Sequence, residues 1–165
     1  MYSARATGEG TDQLFHIVAV LGSRFNDVPA GRSIYGNTGD DVVDGRLFAA
    51  ANFHPGLGDD TVYGSTQRDY IFDEGGNDTF YTNGAVNTNG FGDLIITGSG
   101  DDIVRGSADP ETIGAGWGGG ADDIITYRGD DIIVVTDKDA DDRVDAGRGQ
   151  DICQADPGDT LLNCP

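Results

Sequence analysis

The phrase G-x-D-x-apolar recurs from Gly39 to Cys153 and constrains this chain more than any other feature. The clearest copies begin at Gly39, Gly58, Gly76, Gly100, Gly129 and Gly149. Each sets an aspartate two residues later, at Asp41, Asp60, Asp78, Asp102, Asp131 and Asp151. Weaker copies centre on Asp93, Asp123 and Asp142, where Phe91, Ala121 and Ala140 replace the glycine. In all nine copies the residue two after the aspartate is apolar: Val43, Val62, Phe80, Ile95, Val104, Ile125, Ile133, Val144 and Cys153. Two positions held in phase nine times, with a third in six of the nine, mark a repeat protein, in which stacking neighbours bury a continuous core.

The spacing predicts how the units stack. Asp60, Asp69 and Asp78 fall nine apart, as do Asp93 and Asp102, and Asp142 and Asp151. Asp69 belongs to a degenerate copy, Asp69-Tyr70-Ile71, and Glu111-Thr112-Ile113 reads as another. Longer steps, such as Asp41 to Asp60 and Asp131 to Asp151, are near eighteen to twenty. A coil of about eighteen residues with two short strands and two turns accounts for both spacings. Segments near 84–90 and 107–120, the latter carrying Trp117 and Gly118-Gly119-Gly120, are expected to bulge from that path. Residues 1–33 lie outside the repeat of 34–153. There Phe15 to Leu21 predicts a strand that caps the first coil, and 154–165 is expected to cap the other end. No helix is expected.

Charge narrows the partners. Twenty-nine acidic residues against ten basic ones give a net charge of −19, which argues against nucleic acid and anionic membranes. Much of the acid lies inside the repeats and so belongs to the fold. The 27 glycines exceed the roughly 7% background about twofold. Such chains are often disordered, but 37% hydrophobic residues locked to a fixed phase oppose that reading under working conditions. No stretch approaches the roughly 20 apolar residues of a membrane-spanning helix. Ala4-Arg5-Ala6 before Thr7 has the look of a trimmed A-x-A leader site. Cys153 and Cys164 flank the turn-forming Asp156-Pro157-Gly158-Asp159. A disulfide there would imply an oxidising compartment; otherwise Cys153 is a small buried hydrophobe.

The pattern resembles the RTX, or haemolysin-type calcium-binding, nonapeptide G-G-x-G-x-D-x-U-x, in which U is a large apolar residue. The resemblance runs over 34–153. It implies an all-β chain, a right-handed parallel β-roll or β-solenoid of about eighteen-residue coils, with several Ca2+ ions in the turns. It assigns ion binding to Asp41, Asp60, Asp69, Asp78, Asp93, Asp102, Asp123, Asp131, Asp142 and Asp151, with Gly39, Gly58, Gly76, Gly100, Gly129 and Gly149 shaping the turns. The first glycine pair is mostly replaced, as at Gly36-Asn37, Pro55-Gly56 and Asp73-Glu74, so some turns are expected to be empty.

Physical chemistry supports the same reading. Parallel strands stack about 4.8 Å apart, which forces in-register aspartates together. Such carboxylates repel unless a cation lies among them. Ca2+ accepts six to eight oxygens at about 2.3–2.6 Å, and glycine lets the turn backbone adopt positive φ. Zinc would require clustered His or Cys, whereas His16 and His54 are isolated. Magnesium holds its waters and a tight octahedron. The run Asp137 to Asp142 reads as a widened turn. The first acid of each pair (Asp40, Asp59, Asp101, Asp122, Asp130, Asp141) is read as a solvated charge. Tyr63, Tyr70, Tyr81, Tyr127, Phe72 and Trp117 read as packing residues.

The expected function is an exported, secreted or cell-surface Ca2+-binding module whose folding is coupled to the ion. The alternative is an extracellular adhesion module for a glycan, a surface or ice. The threonine row that ice binding would want stops after Thr61 and Thr79. Catalysis is not expected: neither a G-x-S-x-G elbow nor an H-E-x-x-H helix is present.

Overall fold

One apolar residue per short strand can be buried only if coils stack in register, and the chain is built that way. The computed structural model describes residues 3–5, 19–48, 51–84, 92–138 and 141–165. No helix occurs among the described residues. Nine strands form one sheet in the order β1 (Ser3–Arg5), β2 (Ala19–Leu21), β3 (Ser33–Thr38), β5 (Asn52–Leu57), β7 (Tyr70–Phe72), β9 (Leu94–Ile96), β11 (Thr112–Gly114), β13 (Ile132–Val135) and β15 (Ile152–Ala155). Seven form the other: β4 (Val42–Asp44), β6 (Thr61–Tyr63), β8 (Thr79–Tyr81), β10 (Ile103–Arg105), β12 (Asp123–Ile125), β14 (Arg143–Asp145) and β16 (Thr160–Leu162). All strand pairs are parallel, and from β3 onward the chain alternates between sheets. The result is the parallel β-solenoid that the repeat predicts.

Each coil has two corners. The first leads from the nine-stranded sheet to the seven-stranded one, and the second leads back. Equivalent first-corner positions lie 18 residues apart from Asp60 to Asp78, 24 from Asp78 to Asp102 and 20 from Asp102 to Asp122. The longest coil contains the segment at 84–90, which beyond Gly84 lies outside the described residues. Trp117 stands 81% exposed on the widened first corner that precedes Asp122. Of the predicted strand at Phe15 to Leu21, Ala19–Leu21 is observed, and 15–18 lie outside the described residues, as does His16.

The core is two facing rows of side chains, one from each strand, with Ala51, Ala115, Val135 and Ala146 filling in beside them. Val20, Ile34, Phe53, Ile71, Ile95, Ile113 and Ile133 come from the larger sheet, and Val43, Val62, Phe80, Val104, Ile124 and Val144 from the smaller. Both degenerate copies, at Ile71 and Ile113, take their place in the row. One copy sits a residue earlier than its sequence suggests. Ile124, not Ile125, points inward, and Gly120-Ala121-Asp122 forms its corner.

Outward residues form rows as well. Tyr35, His54 and Phe72 stack on successive coils with ring centroids 4.7 and 5.7 Å apart, and Tyr63 stacks on Tyr81 at 5.2 Å. Thr61 and Thr79 are in register, and Ile103 follows them. At the C-terminal end Cys153 and Cys164 form a disulfide, with Cα atoms 5.9 Å apart. The turn between them is held by the Asp156 N–H donating to Asp159 Oδ2 at 2.7 Å.

Inside and outside differ enough to be tested. Phe80→Ala removes a fully buried ring and is expected to cost about 3–5 kcal/mol. Tyr81→Ala, on the outer face against Tyr63, is expected to cost less than half of that. Urea midpoints at fixed calcium measure both, and equal losses would contradict the assignment of faces.

Candidate metal centre

Stacking in register brings the repeat acids into two columns. At the first corner the Asp27 N–H donates to Asp41 Oδ1 (2.7 Å), Asp41 to Asp60 (2.7 Å), Asp60 to Asp78 (2.6 Å), Asp78 to Asp102 (2.8 Å), Asp102 to Asp122 (2.8 Å) and Asp122 to Asp142 (2.9 Å). At the second corner Ala51 donates to Asp69, Asp69 to Asp93, Glu111 to Asp131 and Asp131 to Asp151, at 2.7–3.0 Å. One oxygen of each acid therefore splices its coil to the one before. The other oxygen is the informative one. Oδ2 of Asp41, Asp60, Asp78, Asp102 and Asp131, and Oε2 of Glu111, are buried with no hydrogen-bond partner. A buried carboxylate oxygen left bare is costly and calls for a cation or a proton.

Burial pushes these acids upward. Asp41 rises to about 6, Asp60 and Asp102 to about 7, and Asp93 and Asp122 to about 8. Loss of water is the largest cause, and neighbouring carboxylates add to it, while the backbone N–H bonds pull the other way. Asp78 and Asp131 are raised for the same first reason.

The glycines explain how the corners close. Gly39, Gly58, Gly76 and Gly100 hold φ of 113°, 126°, 149° and 122°, in the left-handed region. A Cβ on Gly76 or Gly100 would also collide with the carbonyl of the equivalent glycine one coil back. Gly120 continues this column. At the second corner Gly149 lies against the Gly129 carbonyl in the same manner. The column leaves a cradle along each corner that a side chain would fill.

Not every acid chosen from sequence sits in this setting. Asp123 is a correction: it lies on β12, half exposed, and pairs with Arg105 at 2.5 Å and Arg143 at 2.7 Å. Partial burial works upward on it, but the hydrogen bonds from Arg143 and Arg105 win and hold it below the usual range. Asp122 takes the column position. In the other Asp-Asp copies the second acid is buried; here Gly120 sets the corner one residue earlier, so the first is.

Asp69 is in the column but has no bare oxygen. Its Oδ2 accepts the Ser65 N–H (2.5 Å), and its Oδ1 accepts the Ser65 hydroxyl (2.6 Å) and the Ala51 N–H (2.7 Å). Ser107 donates both its N–H and its hydroxyl to Glu111 Oε1, leaving Oε2 bare, and the Ser23 N–H donates to Asp27 Oδ2 at 2.6 Å. Gly-Ser with the acid four residues after the serine is thus a turn that closes on its own hydroxyl or amide. The serines were visible in sequence but carried no assigned role.

The first acids of the pairs have work too. Asp40 accepts the Asp59 N–H, Asp59 the Asn77 N–H, and Asp101 the Ala121 N–H, at 2.9–3.1 Å. This exposed ladder runs opposite to the buried one. A further unforeseen residue is Asp73, buried beside Asp60 and Asp78, with one ligand-capable oxygen of each within 4.8 Å of the others.

The chemistry on offer is oxygen-only, anionic and repeated, which fits a hard divalent ion. Four stretches of the chain, 33–48, 54–88, 87–118 and 134–162, match the model of the RTX calcium-binding nonapeptide repeat. No curated protein and no solved structure matches. The matched stretches span more than half of the sequence and take in most of the stacked corners, those at Asp122 and Asp131 excepted, so the chain belongs to the RTX calcium-binding nonapeptide repeat family.

Proposed function

We propose that this β-roll is an exported module that takes up several Ca2+ ions at its corners and depends on them to fold. The observation that carries the reading is the row of buried, partnerless Oδ2 atoms at the first corner. Asp41, Asp60, Asp78, Asp102, Asp122 and Asp142 would hold ions there, and Asp131 with Asp151 would do so at the second corner. Asp69 and Asp27, already engaged by Ser65 and Ser23, would not be needed. Export is supported by the disulfide Cys153–Cys164, a bond that persists in oxidising compartments. Extracellular calcium modules bind at about 10⁻⁴–10⁻³ M, which suits a chain that stays loose inside the cell and closes outside. The segments 1–33 and 154–165 would cap the ends of the stack. Among the described residues no helix is long and apolar enough to cross a membrane.

Metal counting tests the proposal. In equilibrium dialysis against millimolar Ca2+, with the calcium of the outer buffer subtracted, elemental analysis is expected to find several calcium ions per chain, and few magnesium ions after the same treatment with Mg2+. Less than one calcium per chain would sink it.

A further inference from the structure

The first residue of each corner faces the interior, and across the first corners these residues are Gly36, Pro55, Asp73, Thr97, Ala115, Val135 and Ala155. Six of the seven are small or uncharged. Asp73 alone puts a carboxylate in that row, and it is 92% buried. Its Oδ1 accepts the Gly56 N–H at 3.1 Å, and its Oδ2 is buried without a partner. Asp60 and Asp78, the column acids of this coil and the one before, also each keep a bare Oδ2. One oxygen from each of the three lies within 4.8 Å of the other two, which is the separation that ligands of one Ca2+ ion span. Among the described residues no other group of three carboxylates converges in this way. No basic side chain is among the partners of Asp73.

An inward apolar or hydroxyl residue would complete this corner at lower cost, as Thr97 and Ala115 do in the next two coils. Three carboxylates within one ion's radius are a heavy electrostatic load if nothing lies between them. Calcium affinity rises with the number of charged ligands, so the same load becomes the strongest attraction in the molecule once an ion is present. We propose that Asp60, Asp73 and Asp78 form a three-carboxylate centre that binds Ca2+ more tightly than any other corner and is the first to fill. This rests on the calcium-binding reading above. It adds that the corners are unequal and that the inequality comes from one side chain. The first ion would then fix the coils of β5 to β8 against each other, giving later corners a ready-stacked neighbour.

Calorimetric titration of the full chain with Ca2+ tests this. The wild-type isotherm is expected to show about one equivalent binding at least about tenfold more tightly than the rest. Asp73→Asn should remove that tight class while the weaker equivalents remain, and Asp101→Asn, on the exposed ladder, should keep it. A tight class that survives in Asp73→Asn overturns the proposal, because Asp73 is then a buried acid that acts through its proton alone. Calcium binding with a single uniform class in wild type overturns it as well and leaves the general reading standing. No calcium binding at all defeats both. If Asp73→Asn does not fold, the wild type answers: crystals with one equivalent of Tb3+ should show the anomalous peak among Asp60, Asp73 and Asp78, and a peak at another corner overturns the assignment.

Discussion

Chelating calcium at pH 7.5 is expected to turn the ordered roll into an expanded chain. Far-UV circular dichroism should lose its β signature, and the radius of gyration should climb toward the roughly 40 Å of an unfolded chain of this length. The size of the effect follows from what the ions oppose. Six buried oxygens, on Asp41, Asp60, Asp78, Asp102, Asp131 and Glu111, have no protein donor. A net charge of −19 repels itself, and 27 glycines carry large backbone entropy into the unfolded state. Against this, each coil contributes only two to four core side chains. Ions that bind only the folded chain add RT ln(1 + [L]/Kd) per site, about 2.7 kcal/mol at a hundredfold excess over Kd. Several such sites match the ~5–15 kcal/mol by which domains are ordinarily stable. Readdition of Ca2+ should restore the signal along a steep curve. A full β spectrum that persists under excess chelator would show that the stack stands without its ions.

Stability against pH should slope in opposite directions with and without calcium. Metal-free, Asp41, Asp60, Asp102, Asp93 and Asp122 have folded values of about 6 to 8, against 3.8 for an ordinary aspartate. Asp73 is pushed up to about 9, first by burial and then by Asp78. Between these values the folded form holds protons that the unfolded chain releases. Its stability is therefore greatest near pH 4 and falls as pH rises through 6 to 9. Each unit of displacement is worth about 1.4 kcal/mol per group, so the cumulative change is large. With saturating Ca2+ the same carboxylates must be ionised, and protons compete with the ion. Stability is then greatest above neutrality and declines as pH drops toward 4. Thermal melts at pH 5 and pH 8, in calcium-free and millimolar-calcium buffer, measure all four conditions. Slopes of the same sign in both buffers would mean that the bare oxygens are not where the ions go.

Much of the fold was legible because one residue type was confined to one environment. An aspartate two residues before a core side chain fixes where the strand begins, and that held even at Asp69-Tyr70-Ile71 and Glu111-Thr112-Ile113, where the glycine is missing. What stayed hidden depends on contacts between coils. In Asp122-Asp123 two identical neighbours compete for one position, and only the stacking of Gly120 on Gly100 decides between them. Asp73 sits where the family repeat carries glycine, so a linear reading records a lost glycine; the gained carboxylate becomes evident only when Asp60 is seen beside it. The exposed acids were read as solvated charges because the N–H groups they accept belong to residues 18 to 20 positions away.

If folding is coupled to calcium as proposed, the serine-closed turns would give the roll a graded appetite for the ion. Where Ser65 sits behind the bend, its hydroxyl and amide already fill the role that elsewhere would fall to a mineral partner. A protein engineer could then set how brackish a medium the coil requires, bend by bend, by placing serine where Arg46, Asn83, Tyr127 and Gly147 stand level with Ser65. A variant armed with such latches at every bend would be a roll for fresh water, and one stripped of them would close only in the sea.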